Sequence, residues 1–281
     1  MIPSIERTIG RRRGWLKMDW AGLWRYRDLL WLTIRRDFVA RYQQTVLGPA
    51  WFVVQPLVTA LVFTVVFGRN VAVRDGPPPF LFYLGGMLAW SFFSNVLGGA
   101  GNTFNANANV FTKVYFPRLI APLAVTISSL VPLAIQAAVF AFAYVWVRLG
   151  ATPFWHADSA ALWLLPWCLV HTALFGLGVS LLTSALSAKY RDLQHALPFV
   201  LQMWLFVTPV IFPLSQLGPA ARTIAAVNPL TPIVEAVRRG FFGEGELSFP
   251  LFALSFAITV AVLVAGLALF QRAERTFADT V

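Results

Sequence analysis

Apolar residues gather in six long runs, at about 50–68, 80–101, 118–148, 161–187, 195–213 and 249–271, and the stretches between them hold nearly all the charge. A bilayer core about 30 Å thick needs about 20 apolar residues at 1.5 Å rise each. Each run approaches or exceeds that length, so the pattern predicts six transmembrane helices. The third and fourth runs are longer than needed, which predicts tilt, projection beyond the membrane, or kinks near Pro122, Pro132 or Pro166. Between the fifth and sixth runs, residues 214–248 contain apolar pieces from Ala220 to Val227 and from Pro232 to Val237, interrupted by Gly218-Pro219 and Asn228-Pro229. Pieces that short cannot cross a bilayer; they read as re-entrant or interfacial helices, or as two shallow surface helices. Ahead of the first run, Leu23, Leu30, Trp31, Ile34, Phe38 and Tyr42 share a broad helical face interrupted by Arg27 and Arg41. A basic amphipathic helix at about 23–42 is expected to lie in the interface, either as an anchor on anionic lipid or as a docking element for a partner.

Composition changes the picture in one respect, the nature of the solvent. Of 281 residues 58% are hydrophobic and 12% charged, and the mean hydropathy is +0.68, whereas a soluble domain carries about 25% charged residues. Lipid must therefore cover part of the surface. In a soluble protein the net charge of +10 would suggest nucleic acid, but here the basic residues sort by loop. With the amino terminus inside, sixteen of the 22 Lys and Arg residues fall on the cytoplasmic side, as the positive-inside bias requires. The other six are Arg69, Arg74, Arg148, Arg222, Arg238 and Arg239, so that half of them sit in the last external segment. The first 49 residues hold ten Lys and Arg and no early apolar run of the kind a cleavable signal peptide needs. Both termini are expected in the cytoplasm, in the order 1–49 amino-terminal segment, 50–271 membrane domain and 272–281 tail, with no nucleic-acid partner.

Candidate chemistry is sparse. The sequence contains no Gly-x-x-x-x-Gly-Lys-Ser/Thr phosphate loop, and His156, His171 and His195 fall at unrelated positions. A membrane glycosyltransferase would need carboxylates or a metal site facing one leaflet, whereas Asp158, Asp192, Glu235, Glu244 and Glu246 are scattered along the chain. An ion-coupled carrier would show ionisable residues within its spans; mid-span there are essentially none, and His171 reads as a hydrogen-bonded packing residue ahead of a proton relay. Cys168 has no second thiol to pair with and reads as packing. The chain is therefore expected to transport rather than catalyse, with energy supplied from outside it. Thr172, Gly176, Ser180 and Ser184 recur every four residues, a spacing that lets helix backbones approach within the subunit or at a dimer seam. The 11 Trp, 6 Tyr and 25 Phe divide between interfacial belts, where Trp31, Trp51, Trp90, Trp146 and Trp163 are placed, and the lining of a conduit.

Four motifs carry a family resemblance. Arg41-Tyr42-Gln43-Gln44-Thr45-Val46-Leu47-Gly48-Pro49-Ala50-Trp51, continuing to Gln55-Pro56, resembles the entry to the first span in ABC-2 type permeases that export polysaccharides. Phe111 to Arg118, Lys189-Tyr190-Arg191-Asp192-Leu193 and Asn228-Pro229-Leu230-Thr231-Pro232 agree with that family in order and placement. The resemblance implies an all-α, six-span subunit working as a homodimer in the bacterial inner membrane. It further implies two copies of a separate cytoplasmic ATPase subunit that holds ATP and Mg, with no cofactor in this chain, and a lipid-linked polysaccharide as substrate. The substrate is expected to be O-antigen-like, and an ABC-2 permease for a capsular polysaccharide, teichoic acid, drug or small lipid is the competing reading. The resemblance places a coupling helix at about 105–118, with Phe111, Lys113, Val114, Tyr115, Phe116, Pro117 and Arg118 facing the ATPase and Val114, Tyr115 and Phe116 forming an apolar knob. It makes the amino-terminal helix a gate, where Arg35, Arg36 and Arg41 would meet a pyrophosphate headgroup through guanidinium forks. Tyr42, Trp51, Phe52, Gln55, Trp90 and Phe93 are expected along the substrate path.

Overall fold

The computed structural model describes residues 20–42, 47–71, 76–107, 116–150 and 155–280, and every regular element among them is helical. Two helices, α1 (Trp20–Arg25) and α2 (Arg27–Tyr42), precede the first long one, α3 (Trp51–Val71), which is entered through a single 3-10 turn at Gly48–Ala50. Next comes α4 (Pro79–Ala100), which is apolar on every side and buried accordingly. Its residues Leu81 to Met87 are all enclosed, and α3 and the long helices at 130–150 and 165–187 pack around it.

After the short α5 (Thr103–Ala106), the third apolar run is two helices, α6 (Ile120–Ser128) and α7 (Leu130–Gly150). The break falls where Pro132 cannot donate to the carbonyl four residues earlier, and Ser128 and Ser129 turn their hydroxyls onto the Val125 carbonyl at 3.0 and 2.8 Å. The fourth run is broken similarly, into α8 (Ser159–Leu162) and α9 (Leu165–Ser187), with Pro166 in the first turn of the second piece. Of the three proposed kink sites, Pro132 and Pro166 mark breaks, while Pro122 lies in the first turn of α6.

The fifth run differs from expectation. Helix α10 (Leu193–Val207) has only 15 residues, about 22 Å at 1.5 Å per residue, against a core of about 30 Å. It stops because Pro209 forces Thr208 into extended backbone, φ −85° and ψ 134°. Five helical stretches are long and apolar enough to cross a membrane, Gly48–Arg69, Pro79–Ala100, Ile120–Gly150, Ser159–Ser187 and Phe249–Glu274, with α10 as a shorter sixth. The last helix, α13 (Phe249–Thr280), follows α11 (Pro219–Val227) and α12 (Thr231–Phe242) and runs for 32 residues. The segment expected as a tail from 272 continues that helix to Thr280.

The most extensive helix pairing is α9 with α13. A Cβ on Gly266 would lie 2.5 Å from the Gly178 carbonyl oxygen, and one on Gly178 would lie 2.9 Å from the Leu263 backbone, so glycine at both positions sets the spacing. The stripe Thr172, Gly176, Ser180 and Ser184 is buried on the side toward α4. There the Ser180 hydroxyl reaches the Gly176 and Val96 carbonyls at 2.6 and 3.2 Å. The stripe packs within the subunit.

Candidate functional site

Chemistry-bearing residues collect at the two ends of the bundle and along one flank. One end, the tail end, is built on an apolar cluster of Phe104, Phe116, Ile120, Ala121, Leu177, Leu181 and Phe270, in which the Phe104 and Phe270 rings stack at 4.6 Å. Tyr26, Leu29 and Leu30 rest on this cluster, so α2 lies against α6. The packed face of α2 is therefore the one carrying Leu29, Leu30 and Thr33. Trp31, on the broad apolar face expected to lie in the interface, is 69% exposed.

Of the proposed ATPase-facing residues, Phe111, Lys113, Val114 and Tyr115 lie outside the described residues. Phe116 departs from the expected knob: its ring is folded into the tail-end cluster, because an apolar ring gains more from burial than from projecting into water. Pro117 follows it half-buried. Arg118 Nη1 donates to the Glu274 carbonyl at 2.8 Å, and its backbone N–H donates to Glu274 Oε1 at 3.4 Å, tying the segment to the far end of α13. Of the three gate arginines, Arg35 is exposed, while Arg36 forks onto Asp37 Oδ1 at 2.8 and 3.0 Å and reaches Asn107 Oδ1 at 3.4 Å. Arg41 and Tyr42 close α2, and their side chains lie outside the described residues.

The proposed path residues separate into two groups. Trp51 is 50% exposed, Phe52 is half-buried and Gln55 exposed, all at the start of α3. That helix continues outward-facing through Val58, Leu61, Val62, Val65 and Val66, and α10 shows a comparable face of Phe199, Val200, Met203 and Phe206. Trp90 and Phe93, at 6% and 0% exposure, are enclosed instead. Phe93 stacks on Phe175 at 5.3 Å and meets Trp204 edge-on at 5.1 Å. In this conformation neither presents a ring to a conduit, because α4 runs through the middle of the bundle. The same fact removes Trp90 from the interfacial belt, while Trp31, Trp51, Trp146 and Trp163 are all exposed.

The other end, the cap, is made by α11 and α12. Asn228 is its first node: its Nδ2 donates to Thr208 Oγ1 at 2.9 Å, and its Oδ1 accepts from Leu230 N–H at 3.1 Å and from Trp204 Nε1 at 3.3 Å. The Asn-Pro-Leu-Thr-Pro motif thus joins the end of α10 to the start of α12. Ser255 of α13 adds a bond to the Pro229 carbonyl at 2.8 Å and lies 3.2 Å from His171 Nε2, whose other neighbour is Thr259 Oγ1 at 2.9 Å.

Arg238 is the second node, a role the sequence pattern alone does not single out. Its side chain is 1% exposed; Nη1 donates to Glu235 Oε1 at 2.9 Å and Nη2 to the Val210 carbonyl at 3.0 Å. The guanidinium lies 3.9 Å over the Phe82 ring. Glu235 Oε2 in turn accepts the Glu246 N–H at 3.0 Å, Glu246 pairs with Arg222, and Arg239 Nε donates to Asp158 Oδ2 at 3.0 Å. Four of the five acids that look scattered in the sequence therefore converge here with the three arginines; Asp192 is the exception. The sole local hint was the Glu235/Arg238 spacing of three on one helix. Arg239 holds the Asp158 carboxyl below the ordinary carboxylate range, while burial raises Glu244 against the pull of Arg238. Among the described residues no group of three His, Cys, Asp or Glu side chains is placed to hold a metal ion.

An all-helical bundle with five bilayer-length helices, apolar outer flanks and its polar networks at the two ends is a multi-pass membrane protein. Residues 28–242 match the ABC-2 type transporter family, and the chain belongs to it. It is 31% identical over 270 residues to the O-antigen export system permease protein RfbA of Myxococcus xanthus, covering 92% of this chain and 97% of that protein. A protein of the same description from Klebsiella pneumoniae is 26% identical over 253 residues, 90% of this chain and 94% of its own length. The polysialic acid transport protein KpsM of Escherichia coli is 25% identical over 246 residues, covering 85% and 91%.

Proposed function

We propose that the chain is the permease subunit of an ATP-driven exporter that moves a lipid-linked polysaccharide of the O-antigen kind from the cytoplasm across the inner membrane. The observation that carries this reading is near full-length similarity to two O-antigen export permeases; similarity to a polysialic acid transport protein favours a capsular polysaccharide as the second reading. The bundle fits the role physically. Exposed aromatic and aliphatic faces on α3 and α10, and a buried ion pair placed at the cap, support a reading in which a partner supplies the driving step.

In the proposed assembly two copies pair, each bound to a cytoplasmic ATPase subunit that holds ATP and Mg. Both termini are cytoplasmic, α10 is a short sixth span, the tail end faces the ATPase and the cap faces outward. The segment at 105–118 receives the ATPase stroke, and α2, lying on the same cluster as Phe116, acts as the gate with Arg35, Arg36 and Arg41 toward the headgroup. Trp51, Phe52 and Gln55 line the path; a polymer moved stepwise needs many weak, similar contacts, since one tight site would stall it.

The test is reconstitution of the chain with its ATPase partner in proteoliposomes. Lipid-linked glycan, and not drugs, should stimulate ATP hydrolysis, and Tyr115→Ala should remove that stimulation while basal hydrolysis persists. Nucleotide hydrolysis by the isolated polypeptide, or labelling of residue 115 from outside the cell, would overturn the proposal.

A further inference from the structure

At the cap, the stretch 155–158 and the end of α12 enclose an open depression of about 580 Å³ lined by Trp155, His156, Asp158, Arg239 and Glu244, with Phe242 and Gly243 in its wall. Main-chain and side-chain ties fix its walls. Asp158 N–H donates to the Gly240 carbonyl at 3.1 Å, Arg148 Nη1 to the Trp155 carbonyl at 2.9 Å, and Tyr144 Oη to the Phe241 carbonyl at 2.9 Å. Gly243, at φ 71°, lies so close to the His156 carbonyl that no Cβ fits between them. The depression is therefore preformed, which lowers the ordering cost of occupying it.

We propose that this depression is a sugar subsite that takes one neutral pyranose ring, stacked on Trp155 with its hydroxyls bonded by the Asp158–Arg239 pair, His156 and Glu244. This deepens the export reading and rests on it for the source of the sugar, a residue of the exported glycan. The lining selects the ligand class. A simple anion would meet the Asp158 and Glu244 carboxyl groups in the lining, and a cation would meet the Arg239 guanidinium. An apolar molecule would strip water from four polar side chains without replacing their bonds. A ring with C–H groups on one face and hydroxyls at its edge matches an indole beside paired donors and acceptors.

The experiment uses the permease assembled with its ATPase in nanodiscs, with saturation-transfer NMR reading ligand contact. One probe is lipid-free glycan released from the source strain's lipopolysaccharide, and the other is glycerophosphoethanolamine as a phospholipid headgroup. Glycan should bind, Trp155→Ala should weaken it at least tenfold and Glu244→Gln several-fold, while Trp163→Ala, at an 84% exposed indole outside the depression, should leave it unchanged. Unchanged binding in both Trp155→Ala and Glu244→Gln, with glycan-stimulated ATP hydrolysis intact, overturns the subsite and leaves the export reading standing. Trp155-dependent binding of the headgroup probe without glycan binding overturns it in favour of lipid. Loss of both glycan stimulation and glycan binding in the unaltered protein overturns the export reading and the subsite together.

Discussion

Replacing Arg238 by Met should damage the protein far more than loss of one surface charge would. The substitution leaves the Glu235 carboxylate, 3% exposed, without its cation, removes the bond to the Val210 carbonyl and strips the cation from the Phe82 face. Breaking a buried pair by removing one partner costs about 3–5 kcal/mol. At roughly 2–4 °C per kcal/mol for a chain of this size, the unfolding midpoint should fall by about 6–20 °C. Glu235→Leu should do similar harm, because it strands the guanidinium. The double variant Arg238→Met with Glu235→Leu should recover most of the loss, since apolar residues of similar volume replace a buried pair at little cost. It should retain a deficit of about 1–3 kcal/mol from the missing bond to Val210 and the lost ring contact. The assay is thermal unfolding of the purified complex, read as a double-mutant cycle. Single variants within about 1 kcal/mol of the unaltered protein, or losses that simply add in the double variant, would refute the claim that one buried pair pins α12 to α4 and to the segment after α10.

Two further outcomes can be read with the same preparation. Gly266→Ala must part α9 from α13, because the new methyl meets the Gly178 carbonyl oxygen at 2.5 Å. It should cost about 1–3 kcal/mol, whereas Gly98→Ala, which meets nothing within 4 Å, should be neutral or stabilise by about 0.5–1 kcal/mol; equal thermal midpoints for the two would defeat the close-crossing argument. Glu244 is raised by burial, with Arg238 opposing, so the folded state disfavours its charged form. Its favourable share is present below the ordinary glutamate value of about 4.3 and is lost as pH rises through the raised one. Glu244→Gln should therefore unfold at a higher temperature than the unaltered protein at pH 7, and the gap should close toward pH 4; a gap that widens on acidification would contradict this.

Much of the architecture can be read from the chain because membrane helices depend on local composition. The runs near 50–68, 80–101 and 249–271 have structural counterparts at Gly48–Arg69, Pro79–Ala100 and Phe249–Glu274. The cap helices could be bounded by Gly218-Pro219 and Asn228-Pro229, since proline just inside a helix start and extended backbone before it are local effects. The early end of α10 was also present in the sequence, as Thr208-Pro209, but hydropathy runs through to Pro213 and hides it. Two things depended on tertiary partners. Trp90 looks like a belt residue until α4 is known to be central, and Arg238 looks like a loop cation until Val210, 28 residues earlier, and Phe82, on another helix, are brought to it. The Gly178–Gly266 crossing shares no motif between its halves, so only the packed helices reveal it.

The pairing at the cap also bears on the charge pattern. Arg222, Arg238 and Arg239 are the exception to the expected basic bias, three cations in one segment on the side proposed to face outward. Each is now held by a carboxylate, from Glu246, Glu235 and Asp158 respectively. Their presence there has a folding reason, the fixing of two short helices that cannot span the bilayer and must be anchored by something other than lipid. The tail end shows the converse arrangement, in which Arg118 grips the end of α13 while Arg35 stays exposed. Phe104 and Phe116 share the cluster that also carries α2, whereas the cap is clamped to α4. Motion imposed at one end would thus reach the other chiefly through α4 and the α9–α13 pair, and loosening their glycine crossing should uncouple the ends before it unfolds the bundle.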